Sequence, residues 1–218
     1  MRAVLFDLDG TLVLTHIDFS AMRAAVVEVV LAAGIEREAI EGLDTLTTAR
    51  HASAILRERH GEDEARDLLH RAEESMIAVE MRGLEGAEPA PFAREVLREL
   101  ADQGIALAIV TRNCRRVTEA AMALCDMACP VVLSRDDVPR YKPDPAHLLD
   151  ALQRLDVAPA AAVMVGDHPM DIQAGRAAGT RTVGVVTPGR PPDYFVASRP
   201  DRVIADLRGL LPFVFGAT

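Results

Sequence analysis

The chain has 218 residues, half of them apolar and about a quarter charged, with a formal net charge of −9. That length allows one α/β domain plus a small insertion, and no apolar run approaches the roughly 20 residues that a membrane helix needs, which excludes a membrane partner. The acidic balance, without any arginine-rich stripe, argues against a nucleic-acid partner, because proteins that hold phosphate backbones present a basic face.

From the N-terminus, Met1 to Asp7 reaches a carboxylate before an export signal could form, so the expected location is cytoplasmic. Apolar runs of strand length then alternate with helix-period segments, the pattern of βαβ units around a parallel sheet. Strands are predicted at Ala3 to Phe6, Ile105 to Val110, Val131 to Ser134, Ala162 to Val165, Thr182 to Val186 and Arg202 to Ile204. Helices are predicted at Pro91 to Gln103, Arg115 to Cys125, Pro145 to Leu155 and Met170 to Ala178, with Gly104 and Gly179 as C-terminal stops. Cys114, Cys125 and Cys129 form no C-x-x-C pair and suit free thiols in a reducing compartment.

The stretch from Thr15 to Gly86 breaks this rhythm. It contains amphipathic helical patterns and no convincing strand, and Asp18 is placed to cap a helix running to about Ala33. The expected fold class is therefore α/β: a doubly wound, Rossmann-like parallel sheet formed by residues 1–14 and 87–218, with a small all-helical cap, residues 15–86, inserted after the first strand.

Two features point to chemistry. Asp7-Leu8-Asp9-Gly10-Thr11 directly follows the first strand, and in a doubly wound sheet ligands gather at the carboxyl ends of strands. A D-x-D-G-T run should arise by chance in roughly one chain of this length in several hundred. Paired carboxylates there are suited to binding a hard cation, attacking phosphorus and moving a proton. Second, of 24 basic residues only Lys142 is a lysine, which suggests a position where a compact ammonium is needed and a guanidinium fork does not fit.

Asp7 to Thr11 resembles the first motif of the haloacid dehalogenase-like hydrolase superfamily, in its capped, phosphoglycolate phosphatase-like branch. The later motifs follow in order: Thr111-Arg112-Asn113 resembles the second, Lys142 in Arg140-Tyr141-Lys142-Pro143-Asp144-Pro145 the third, and Gly166-Asp167-His168-Pro169-Met170-Asp171 the fourth. The resemblance implies Asp7 as nucleophile and Asp9 as general acid/base. It also implies phosphoryl binding by Thr111 and Lys142, with Arg112 and Asn113 in the same loop, and a Mg2+ site at Asp7, Asp9, Asp167 and Asp171. Asp9 would offer the ion its backbone carbonyl, and Asp171 would touch the ion's waters or orient Lys142.

By the same resemblance the helical insert is a cap that excludes water and selects substrate. Thr15, His16, Asp18, Arg23, Arg50 and Arg112 are candidate specificity residues, and His168 is a candidate contact to a leaving group or water. The expected partner is a small phosphorylated metabolite, bound by a monomer or homodimer. Asp9 disfavours dehalogenation, and a cap without lysine disfavours phosphonate cleavage. The opening position of D-x-D disfavours a phosphoacceptor signalling domain. A phosphomutase and a silent phosphate-binding protein remain as alternatives. Val13-Leu14-Thr15-His16 departs from the acidic residue and serine that many capped phosphatases carry here, which weighs against familiar substrates such as phosphoglycolate.

Overall fold

A computed structural model describes residues 1–187, 190–191 and 193–216. The chain divides into two compact units, residues 1–15 with 87–218, and residues 16–86.

The larger unit is built on a parallel sheet of β1 (Ala3–Phe6), β4 (Ala106–Val110), β5 (Val131–Leu133), β6 (Ala162–Gly166), β7 (Arg181–Val185) and β8 (Arg202–Ile204), in spatial order β5-β4-β1-β6-β7-β8. Counting these strands alone along the chain, the order is 3-2-1-4-5-6, the doubly wound arrangement whose order reverses between β1 and β6. Both neighbours of β1 are in register with it, Phe6 lying opposite Ile109 and Val165. β1 and β6 are buried along their whole length, as expected for strands covered on both faces. Helices α4 (Ala93–Asp102), α5 (Arg115–Leu124), α6 (Ala146–Leu155) and α7 (Pro169–Ala178) follow the strands. Leu148, Ala151 and Leu152 of α6 and Ala174 and Ala178 of α7 join one apolar cluster with Leu5, Val110, Leu133 and Met164.

The structure adds elements that periodicity does not reveal. Val13–Leu14 (β2) and Glu88–Pro89 (β3) pair antiparallel, with Val13 opposite Pro89, so the chain leaves and re-enters the sheet unit along one ribbon. Leu210–Phe215 forms a final helix, α8, and the N-terminal ammonium of Met1 donates to the Val214 carbonyl at 3.1 Å.

The smaller unit is helical: α1 (Phe19–Ala32), a 3-10 turn at Arg37–Ile40, α2 (Thr45–His60) and α3 (Glu62–Arg82). Asp18 caps α1 by accepting from the Ala21 N–H at 2.8 Å, and Asp44 caps α2. Met22, Val26 and Val30 of α1, Leu46, Ala49, Ala52 and Leu56 of α2, and Leu68, Ala72, Met76 and Val79 of α3 are buried. Spacings of three and four residues place them on one face of each helix. The His16 N–H donates to the Gly83 carbonyl at 2.8 Å and joins the two ends of this unit.

Candidate active site

The site lies where the strand order reverses. β1 stops at Phe6, and the Asp7 N–H donates to the Val165 carbonyl of β6 at 2.9 Å. Beyond it the backbone folds back sharply: the Leu8 carbonyl accepts from the N–H groups of Thr11, Leu12 and Val13. Leu8 is buried, whereas Asp7 and Asp9 on either side of it are only partly covered, the alternation expected of extended chain. Gly10 has φ +77°, and a Cβ there would sit 2.4 Å from an Asp167 carboxylate oxygen. Glycine is thus required both for the turn and for the close approach of Asp167.

Lys142 ties the loops together. Its side chain is 1% exposed, and Nζ donates to Asp7 Oδ1 at 2.7 Å and to Asp171 Oδ1 at 2.7 Å. Burial alone would lower its pKa, but Asp171 and Asp7 outweigh that and hold it above the usual lysine value. The Lys142 N–H is directed at Nδ1 of the buried His147 at 3.4 Å. Asp171 Oδ2 accepts from the His168 N–H at 3.1 Å, while His168 Nδ1 accepts from the Met170 N–H at 3.1 Å, a reciprocal cap on α7. A Cβ on Gly166 would lie 2.2 Å from Asp171 Oδ2, so this residue too must be glycine. Asp171 therefore anchors Lys142 and caps α7, and His168 has a capping role.

Carboxylates dominate the electrostatics. Oxygens of Asp7, Asp167 and Asp171 lie within 4.8 Å of one another. Burial, followed by the charges of Asp7, Asp171 and Asp9, raises the Asp167 pKa to about 8. Burial likewise raises Asp7 to about 6 despite the opposing pull of Lys142, and Asp9 to about 6 despite its bond from Thr15. These are hard oxygen donors whose mutual repulsion a divalent cation would relieve, and the set fits Mg2+.

Of the remaining predicted residues, Thr111 and Asn113 are buried beyond β4. The Thr111 N–H donates to the Leu133 carbonyl, and its Oγ1 accepts from the Asn113 N–H at 3.2 Å. Asn113 Nδ2 is buried without an acceptor among the described residues. Arg112 directs Nη1 at Met170 Sδ, 3.3 Å away, and its guanidinium lies 5.4 Å from the Tyr141 ring centroid. Thr15 donates its hydroxyl to Asp9 Oδ1 at 2.5 Å and belongs to the sheet unit rather than to the insert. His16, Asp18, Arg23 and Arg50 all fall in the helical unit. There Asp18 caps α1, and Arg23 donates to the Leu43 carbonyl.

Sequence reasoning overlooked two arginines. Arg135 is buried; its Nη1 donates to the Arg112 carbonyl at 3.0 Å and its N–H to the Asn113 carbonyl at 3.1 Å, fixing the 111–113 loop. Arg190, beyond β7, places Nη2 3.9 Å from Asp167 Oδ2. In a chain that uses arginine almost everywhere, neither residue stands out by type.

A family model described as haloacid dehalogenase-like hydrolase matches residues 4–185. A phosphoglycolate phosphatase of Pseudomonas putida is 31% identical over 97% of this chain and 79% of that protein. Pyrophosphatase PpaX of Bacillus mycoides is 38% identical over 55% of this chain and 57% of that protein, a match spanning little more than half of each. A crystal structure of a mutant CbbY from Rhodobacter sphaeroides in complex with xylulose-(1,5)bisphosphate has a TM-score of 0.66 at 25% identity, covering 97% of this chain and 96% of that one. The chain therefore belongs to the haloacid dehalogenase-like hydrolase family. Within it the chain is an enzyme of the phosphatase branch, a phosphoric monoester hydrolase.

Proposed function

We propose that this chain is a Mg2+-dependent phosphatase that hydrolyses a small phosphate monoester through an aspartyl-phosphate on Asp7. The observation that carries this reading is the Lys142 ammonium, buried and held at 2.7 Å from both Asp7 and Asp171, beside a third carboxylate, Asp167. A structural ion pair has no need of a third acidic group. A site that must hold a nucleophile, a cation and a transferring phosphoryl group does.

An oxygen of Asp7 attacks phosphorus, forming a P–O bond as the bond to the leaving oxygen breaks. Asp9 gives that oxygen a proton; its pKa of about 6 leaves a protonated fraction near neutrality, which suits a general acid. Asp9 then takes a proton from water, whose oxygen attacks phosphorus, releasing inorganic phosphate and restoring Asp7. The Thr15 hydroxyl on Asp9 Oδ1 fixes that carboxyl group during both transfers. Lys142 balances the charge on the phosphoryl oxygens, and Asp171 keeps Lys142 in place. Asn113 Nδ2, which lacks an acceptor among the described residues, gains one in a phosphoryl oxygen. Mg2+, held by Asp7, Asp167 and the Asp9 carbonyl, would supply further stabilisation of the developing charge. The helical unit is assigned the substrate-selecting cap role, and the relatives' named substrates enter as candidates only.

Release of phosphate from an aryl phosphate tests the reading. Wild type should be active with Mg2+ and inactive with chelator, and Asp7→Asn should be inactive at all metal concentrations. Activity that survives in Asp7→Asn would exclude the covalent route. A wild type that releases no phosphate but moves it between sugar phosphates would be a mutase.

A further inference from the structure

The mechanism leaves Arg190 without a task, although this residue is 3.9 Å from Asp167. The chain has two tyrosines, and each carries a guanidinium at the site: Arg112 over Tyr141, and Arg190 over Tyr194 at 4.7 Å from the ring centroid. Arg112 follows β4 and Arg190 follows β7. In the spatial order β4-β1-β6-β7 they therefore bracket the carboxylates carried beyond β1 and β6. Both charges act on His168, which lies between those strand ends.

Tyr194 itself is wedged edge-on between His168, 6.0 Å away, and Phe195, 5.2 Å away. The edge of Phe195 rests where a Cβ on Gly184 would stand. Arg190 thus sits on an aromatic platform fixed to β7, while its side chain stays 43% exposed. A guanidinium built only to neutralise Asp167 would be expected to close to hydrogen-bond distance and be buried with it; this one is neither.

Asp167 is also a proposed cation ligand, and a divalent cation on that carboxylate competes with the guanidinium for the same negative charge. A cation that takes up that charge would leave the half-exposed Arg190 guanidinium, held over the Tyr194 ring, able to pair with a different anion. Lys142, the Asn113 amide and the cation already account for the transferring phosphoryl oxygens.

We infer that Arg190 is a specificity residue that binds a second anionic group on the substrate, a carboxylate or second phosphoryl carried by the leaving group. The inference rests on the phosphatase reading above and narrows its substrate class to phosphate esters or anhydrides with two anionic ends.

The test compares kcat/KM of wild type and Arg190→Gln on three substrates: phenyl phosphate, with one anionic group, and phosphoglycolate and pyrophosphate, with two. Arg190→Gln should lose about 10- to 100-fold on at least one of the two substrates that carry a second anionic group, as expected for a charge-assisted hydrogen bond, and little on phenyl phosphate. Loss on phosphoglycolate alone would identify the second group as a carboxylate, and loss on pyrophosphate alone as a phosphoryl. Tyr194→Leu, which removes the platform but leaves the charge, should show a smaller loss with the same selectivity.

Binding of Mg2+ alone, measured by calorimetry, should be as tight in Arg190→Gln as in wild type or tighter. Equal losses on all three substrates, no loss on any, or weakened Mg2+ binding would each overturn the inference while leaving the phosphatase reading intact. A wild type inactive on every substrate would overturn both.

Discussion

Ion pairs occur in both units of this chain, and those of the helical unit differ in their surroundings from the pairs that Lys142 makes in the sheet unit. In the helical unit Arg57 and Glu62 meet at 2.6 Å with side chains 49% and 57% exposed, and Arg66 with Asp63 and Arg71 with Asp67 are more open still. In the sheet unit Lys142 meets Asp7 and Asp171 at 2.7 Å with almost no exposure on Lys142 or Asp171. The Arg57–Glu62 contact is as short as those of Lys142, but the dielectric around it is not the same. Water screens the exposed pairs until they contribute little, whereas burial makes each inner charge depend on its partners. Distance alone therefore does not separate a functional charge from a solubilising one in this molecule; burial and an excess of one sign do.

Removing the central cation should produce the largest effect. Lys142→Met keeps most of the volume and leaves the buried Asp171 and the mostly covered Asp7 without a counter-charge. Breaking a buried pair in this way costs about 3–5 kcal/mol, which should appear as a lower denaturant midpoint together with loss of phosphate release. An unchanged midpoint would mean that the inner charges are as well solvated as the outer ones, and the comparison would fail.

A second buried group sharpens the contrast through pH. Burial, followed by the Lys142 charge, lowers the His147 pKa to about 3. Below its usual value the unfolded chain takes up a proton on this residue while the folded chain does not, so stability is lost as pH falls from about 6.5 towards 3. Near pH 5 the loss from this one group is about 2 kcal/mol. In His147→Asn, whose Oδ1 can still accept from the Lys142 N–H, the difference in unfolding free energy between about pH 7 and about pH 5 should shrink by that amount. If it does not shrink, the folded protein admits a proton at His147.

How far the sequence speaks for the structure depends on whether partners are neighbours along the chain. Strands such as Ala3 to Phe6 and Ala162 to Val165 are legible because an apolar run bounded by turn residues is a local signal. Asp7, Asp9, Lys142, Asp167 and Asp171 are legible as candidates for the same reason, each lying in a short motif close behind a strand or opening a helix. The β2–β3 ribbon is not, because two residues have no periodicity. Thr15 gives no sign of its bond to Asp9, Arg135 none of its hold on the 111–113 loop, and Arg190 none of its approach to Asp167. These are meetings that the folded backbone arranges between ordinary residue types.

Gly10→Ala should have a smaller effect than a change at either Lys142 or His147. Its φ of +77° strains any other residue, and the new Cβ would meet Asp167. The left-handed conformation costs about 1–2 kcal/mol. The Asp167 clash should additionally raise the Mg2+ concentration needed for half-maximal activity. A stability loss with unchanged Mg2+ dependence would show that Asp167 can move aside, and the inner site would be softer than its burial suggests.

At the far end of the scale lies Arg57→Ala. The Arg57 pKa is raised and that of Glu62 lowered, chiefly by their mutual hydrogen bond, so the pair looks as definite as any at the sheet. Both side chains nevertheless stand in water, where attraction is offset by screening and by the entropy of holding two long side chains together. The variant should unfold at the same denaturant concentration as wild type at moderate salt, with unchanged phosphate release. A clear drop in the midpoint would show that the α2–α3 turn depends on this pair. Charge in the helical unit would then have to be read as structural as well as solubilising.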